Sequence, residues 1–212
     1  VINIVSRPQT DRASGRHSTM SADRIDKQVA FLTEVDRLKS IERATTLGDG
    51  TRFENSAEHS WHVALYALIL AEQARPDVEI SRVIKMLLIH DLVEIDAGDA
   101  PIFGQYDAEK LADEEAKAAR RIFGLLPVDQ ASELLDLWNE FEDAATPDAQ
   151  FAKSMDRFQP PNQNLASGGG SWKDYGVDLN RIEARVGAKI ARGAPGLWAW
   201  LKPKIKRFMA EN

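Results

Sequence analysis

Three of the chain's four histidines fall in two short stretches, and one of them is followed directly by an aspartate. The first stretch is Glu54-Asn55-Ser56-Ala57-Glu58-His59-Ser60-Trp61-His62. The second is an apolar run from Val83 to Ile95 that carries His90, Asp91 and Glu94. An imidazole and a carboxylate on an apolar element are costly to bury unless something pairs with them, and a divalent cation pairs with both. Asp156 supplies a further carboxylate, on a segment whose apolar side is marked by Ala152, Met155 and Phe158. His59, His90, Asp91 and Asp156 therefore form a candidate metal set. Two imidazoles and two carboxylates suit one divalent ion such as manganese, cobalt, iron, nickel, zinc or magnesium. They leave positions open for water and a substrate oxygen, as a catalytic site requires. Such an ion acidifies bound water and polarises a substrate oxygen.

The elements that must position these residues read as helices. Ser21 is expected to cap a helix carrying Ile25, Val29, Leu32, Val35 and Leu38, spaced at threes and fours. Ser56 is expected to cap a second, with His59, Val63, Tyr66 and Leu70 along one side, stopping near Pro76. Ser81 opens a third that runs through Ile95 and ends at Gly98, and Asp107 opens a fourth to about Phe123. A fifth runs from about Asp129 to Asp143. Thr146-Pro147, a cap followed by proline at the first helical position, starts a sixth through Phe151, Met155 and Phe158. Gly168-Gly169-Gly170 breaks the pattern; helices over 178–192 and 195–210 follow, the last with a kink expected at Pro203. No convincing alternating run appears, which predicts an all-α bundle of about seven to eight helices forming one domain over 21–212. Residues 1–20 carry breakers and no apolar period, and read as a tail.

Composition narrows the partners. With 212 residues and 43% hydrophobic content the chain can fill a sizeable core. A net charge of -6 argues against a general nucleic-acid binder. The longest apolar run, near Val63 to Ala71, falls short of the roughly 20 residues that span a bilayer. Cysteine is absent, which removes disulfides and thiolate chemistry and fits a reducing compartment. No secretion signal is visible, so a cytoplasmic location is expected.

The order His, then His-Asp, then a distant Asp on a helical background resembles the HD superfamily of metal-dependent phosphohydrolases. The stretches around Glu54–Ser60 and His90–Pro101 are similar, more narrowly, to the branch containing bacterial 5'-deoxynucleotidases and their human HD-domain-containing relative. The similarity spans roughly residues 25 to 165. It implies that His59, His90, Asp91 and Asp156 bind the metal, that Glu94 beside it is needed for activity, and that Asp99 acts on the leaving group or substrate. It also implies that Arg43 contacts the phosphate. The residues themselves agree. Glu94 lies three positions after Asp91 and four after His90, on the same helical face, where it could orient water or move a proton. Asp99 follows Gly98 in a turn, Arg43 offers a planar fork for phosphate oxygens, and Arg52 in the loop before His59 is a second candidate for that role. The branch has an aromatic residue after the arginine that excludes the ribose 2'-hydroxyl; this chain has Ala44 there. The segment Gln159-Pro160-Pro161-Asn162-Gln163-Asn164 also departs from it.

Other readings compete. Singly, His59 could sit in a capping turn, His90-Asp91 could be a hydrogen-bonded pair, Asp156 a surface carboxylate, and Arg43 a helix-closing cation; their joint order favours a site. A ferritin-like centre wants Glu three residues before each His, where this chain has Ser56 and Leu87. No histidine follows His90, which favours a single metal. The expected reaction is hydrolysis of a nucleoside 5'-monophosphate, with a deoxynucleotide among the candidates. The alternatives are a guanosine tetraphosphate pyrophosphohydrolase, whose similar motif has Asp where Ile95 stands, and a non-catalytic nucleotide binder, against which Glu94 and Asp99 argue. The family resemblance and the tryptophans near the C-terminus also suggest a homodimer.

Overall fold

The computed structural model describes the backbone of residues 13–211 and the side chains of 21–211. Residues 1–12 of the expected tail lie outside the described residues. The first helix, α1 (Ala13–Val35), starts well before Ser21. No proline interrupts that stretch, and serine is tolerated within a helix as well as at its cap, so Ser21 does not mark the boundary. A 3-10 helix (Asp36–Ser40) leads into two short strands that the sequence reading missed, β1 (Glu42–Thr46) and β2 (Phe53–Asn55). They pair antiparallel, with Glu42 opposite Asn55 and Thr46 opposite Phe53.

The rest is helical: α2 (Ser56–Ile69), α3 (Ile80–Ile89), a 3-10 helix (His90–Val93), α4 (Glu94–Ala97), α5 (Ala108–Phe123), α6 (Val128–Asp143) and α7 (Pro147–Ala166). Short α8 (Ser171–Asp174) and α9 (Leu179–Ile182), a π-turn (Glu183–Gly187), α10 (Ala188–Gly193) and α11 (Pro195–Glu211) complete the order. The expected helical bundle is thus present, with 179–193 broken into pieces and with the small hairpin added. Helix α11 passes through Pro203 without a break, on the solvent side of the helix, where water can satisfy a freed carbonyl.

Capping fixes where the site-bearing helices begin. Asp107 caps α5 and Thr146 caps α7, as expected. The cap of α2 is Asn55 rather than Ser56: Asn55 Oδ1 accepts from the Glu58 amide at 2.9 Å, and Glu58 accepts from the Asn55 amide at 3.1 Å. This reciprocal box satisfies two otherwise orphaned donors and leaves the Ser56 hydroxyl free for other work. Helix α3 begins one residue before Ser81, and its entry is held instead by Asp148, which accepts from the Glu79 amide at 2.8 Å.

Two apolar clusters flank the site. One joins α2, α3, α7, α10 and α11 through residues such as Val63, Met86, Leu87, Phe151, Met155 and Ile190. The other joins α1, α5 and α6 to the 3-10 helix through Phe31, Leu92, Val93, Ile122, Phe123 and Trp138. The chain crosses from the first to the second at His90-Asp91. Fully burying each large apolar side chain contributes about 1.5–3 kcal/mol, so the residues on both sides of the polar pair are strongly anchored. Trp172 is a core residue, whereas Trp61 and Trp200 are exposed. No helix among the described residues is long and apolar enough to cross a membrane.

Candidate active site

His59 enters from the first turn of α2 and is wholly buried. Its Nδ1 lies 3.2 Å from Gln159 Oε1 and 3.4 Å from Glu54 Oε2. Both are acceptors, so Nδ1 carries the proton. Gln159 and Gln163 each donate to Glu54 Oε1, at 2.8 and 2.9 Å, and hold that carboxylate in place. The other ring nitrogen, Nε2, faces Asp156 Oδ1 at 3.2 Å.

His90 stands where α3 tightens. The sequence reading ran α3 on to Ile95; the structure ends it at Ile89. The Trp138 indole N–H donates to the His90 carbonyl at 3.2 Å, supplying from α6 a partner for that carbonyl. His90 Nδ1 donates to the Leu87 carbonyl at 2.8 Å, and the ring packs edge-on against Phe141 at 4.9 Å. Its Nε2 is buried without a hydrogen-bond partner among the described residues. It points among acceptors, 3.0 Å from Asp91 Oδ1 and 3.8 Å from Asp156 Oδ1.

Ligand atoms of His59, His90 and Asp91 all lie within 4.8 Å of one another. Asp156, from α7, joins both imidazoles. A neutral imidazole lone pair aimed at carboxylate oxygens is repulsive unless a positive charge stands between them. The donor set, its burial and the orphaned His90 nitrogen therefore fit a divalent cation. Protonation answers the same demand. Burial and the Arg43 charge disfavour a proton on His59, but hydrogen bonds to Asp156 and Glu54 and the Asp91 charge outweigh them and raise its pKa to about 9. Burial likewise opposes ionisation of Asp156, yet Arg157 and the two imidazoles hold it well below the usual carboxylate range. Asp91 is lowered too, as His90, Arg43 and His59 together outweigh burial.

Arg43 extends from β1 into the same space. Its Nη1 lies 2.8 Å from Asp91 Oδ2, 3.4 Å from Glu94 Oε1 and 3.6 Å from Asp99 Oδ1. Glu94 is held from its other oxygen by the Ser56 hydroxyl, which donates to it. Burial and the neighbouring Asp91 charge push the Glu94 carboxyl well above its ordinary range. Asp99 is raised as well, by burial first, with Asp91 adding to it against Arg43. Gly98 turns the chain here with φ of 77°, a left-handed conformation that a side chain would strain.

Arg52 is not brought to the site. It is exposed and forks the Glu58 carboxylate at 2.8 and 2.6 Å, because the hairpin loop turns it toward the outside of α2. His62 lies next to the centre's support rather than in the centre, with Nδ1 3.2 Å from Gln159 Nε2. Sequence reasoning missed Glu54, Gln159 and Gln163. The two glutamines sit three and seven positions after Asp156, a same-face spacing that was readable; nothing local marked Glu54. Partners that orient a ligating histidine are worth about 10–100-fold in metal affinity. Glu54→Gln is accordingly expected to weaken manganese binding on that scale while the fold survives, read by metal titration with circular dichroism as the control.

Two chambers meet at this cluster. A polar one of about 190 Å³ is lined by Arg43, His90, Asp91, Glu94, Asp99, Lys153, Asp156 and Arg157, among others. A narrower one of about 60 Å³ has walls from Ala44, Pro101, Ile102, Phe103, Trp172 and Tyr175. Arg43, Asp99, Ala100 and Arg157 belong to both.

A helical domain that converges two imidazoles and two carboxylates beside an arginine and two further acids of raised pKa has the make-up of a metal-dependent hydrolase. Residues 35–198 match the HD domain model, and the chain belongs to the HD domain family, as an enzyme of its phosphohydrolase class. The structure is similar to the crystal structure of a predicted metal-dependent phosphohydrolase from Magnetospirillum magnetotacticum MS-1, with a TM-score of 0.82 and 44% identity, covering 89% of this chain and 96% of that one. The sequence is 27% identical over 146 residues to the 5'-deoxynucleotidase HDDC2 of Homo sapiens, spanning 68% of this chain and 70% of that protein. It is 29% identical over 136 residues to the 5'-deoxynucleotidase hdd1 of Schizosaccharomyces pombe, spanning 62% and 67%.

Proposed function

We propose that the protein hydrolyses nucleoside 5'-monophosphates to nucleoside and phosphate. The observation that carries this reading is the junction of the two chambers: a polar one with the His-Asp cluster and Arg43, opening through shared residues into one with apolar and aromatic walls. The phosphoryl group would occupy the first. The sugar and base would lie in the second and in its mouth, where Phe53, Pro101 and Tyr175 line the way to solvent.

His59, His90, Asp91 and Asp156 would hold the cation, which when bound supplies Lewis-acid polarisation of the phosphoryl group and acidifies water. Arg43 exchanges part of its carboxylate contacts for phosphate oxygens. Glu94 lines the polar chamber only, so it is placed to orient the attacking water and take its proton. Asp99 lines both chambers, where the ester bond crosses, and its raised pKa suits it to protonate the departing 5'-oxygen. Water adds to phosphorus, the phosphorus–oxygen ester bond breaks, and the nucleoside leaves as an alcohol.

Ala44 lines the second chamber with a methyl group and offers no bulk against a 2'-hydroxyl. Ribo- and deoxynucleoside monophosphates are therefore expected to differ by less than about tenfold in kcat/KM, or about 1.4 kcal/mol. The test is phosphate release from a panel of nucleotides with manganese or cobalt added. Phosphate from monophosphates supports the reading. Pyrophosphate from guanosine tetraphosphate alone, or no product from any nucleotide, would replace it with the pyrophosphohydrolase or the non-catalytic binder.

A further inference from the structure

The cations of the polar chamber differ in how completely they are paired. Arg43 has three carboxylates around one of its nitrogens, at 2.8, 3.4 and 3.6 Å. Lys153 is paired with Glu142 at 3.0 Å and lies over the Phe141 ring at 3.8 Å. Among the described residues Arg157 has one carboxylate contact, Asp156 Oδ2 at 3.5 Å, while the other oxygen of that carboxylate serves the two imidazoles. Its Nε is buried and, like that of Arg43, has no hydrogen-bond partner among the described residues. A guanidinium presents five N–H donors in a rigid fork, so most of the hydrogen-bonding capacity of Arg157 is unspent. A buried donor on a charged group is expensive to leave unmade, and Arg157 stands on the wall common to both chambers. A compact anion with several acceptor oxygens would satisfy the fork.

We propose that Arg157 is a second phosphate-binding residue, gripping the phosphoryl oxygens from α7 while Arg43 holds them from β1. This rests on the phosphohydrolase reading above and narrows it. Two arginines around one phosphoryl group favour the dianionic end of a monoester over a diester, which carries less charge and has fewer free oxygens for the second fork.

The experiment is titration of inorganic phosphate into the manganese-loaded protein, by calorimetry, for the natural chain, Arg157→Gln and Arg157→Lys. Metal content is measured on each sample. A hydrogen-bonded charge of this kind corresponds to about ten- to a hundredfold in affinity. Arg157→Gln is expected to bind phosphate that much more weakly with its manganese retained. Arg157→Lys should fall between, since it keeps the charge and loses the fork. The KM for a monophosphate should rise in parallel, with kcat less affected. Unchanged phosphate affinity in Arg157→Gln would overturn the proposal. So would loss of manganese in both variants, which would make Arg157 a support for Asp156. Failure of the natural chain itself to bind phosphate would overturn it as well. A natural chain that binds phosphate through Arg157 yet hydrolyses no nucleotide would remove the assigned reaction and leave this assignment standing.

Discussion

Asp91→Ala is expected to lose both cation binding and turnover. Asp91 offers one of the three mutually close ligand atoms, and the carboxylate is also the nearest partner of Arg43, at 2.8 Å. Its removal therefore acts twice. The cation loses a charged ligand, and the Arg43 guanidinium is free to settle on Glu94 and Asp99, the two acids that would move protons. Deleting a single electrostatic stabiliser of a transition state costs about 10²–10³-fold in kcat, and here both a ligand and the alignment of the acids go, so the loss should reach at least the top of that range. The effect on folding should be smaller than the roughly 3–5 kcal/mol of a broken buried ion pair, because Arg43 keeps carboxylates at 3.4 and 3.6 Å. Manganese should raise the melting temperature of the natural protein by linkage and leave that of the variant unmoved. A variant that still holds one equivalent of manganese would remove Asp91 from the ligand set.

What could be read in the sequence followed from local chemistry. Asp107 and Thr146 cap their helices because a short polar side chain one residue before an apolar period satisfies the first free amides, wherever the helix later packs. Asp156 could be placed inward from the apolar residues around it on α7. Ser56 was mistaken for a cap because two capping residues stand together; Glu58 decides for Asn55, and the Ser56 hydroxyl goes to Glu94. Features set by distant partners were not legible. The 3-10 helix at His90 depends on the Trp138 N–H from α6. Glu54 is buried because Gln159 and Gln163 arrive from α7. The hairpin is too short for any alternation to show, yet it carries Arg43 inward and turns Arg52 out toward Glu58.

Glu94→Gln separates proton handling from metal binding. The amide keeps the size of the side chain and an acceptor for the Ser56 hydroxyl, and Glu94 is not among the mutually close ligand atoms. Manganese content should therefore be unchanged. Turnover should fall by about 10²–10⁴-fold, the range for removing a general acid or base. Burial and the Asp91 charge raise the Glu94 carboxyl, so its charged form, the one able to accept a proton from water, accumulates at higher pH than for an ordinary glutamate. The rate should climb with pH through that range in the natural protein, and this limb should vanish in Glu94→Gln. Linkage gives a second reading that needs no metal. A carboxyl whose pKa is higher folded than unfolded binds more protons in the folded state, so stability declines as pH rises from the unfolded value through the folded one. Replacing Glu94 with an amide removes that decline, and metal-free melting temperatures across the same pH range should become flatter. Full turnover in the variant would take the proton transfer away from Glu94. Flattened melting with turnover retained would make Glu94 a buried acid that the reaction does not use, and Asp99 would be left as the acid at the junction of the chambers.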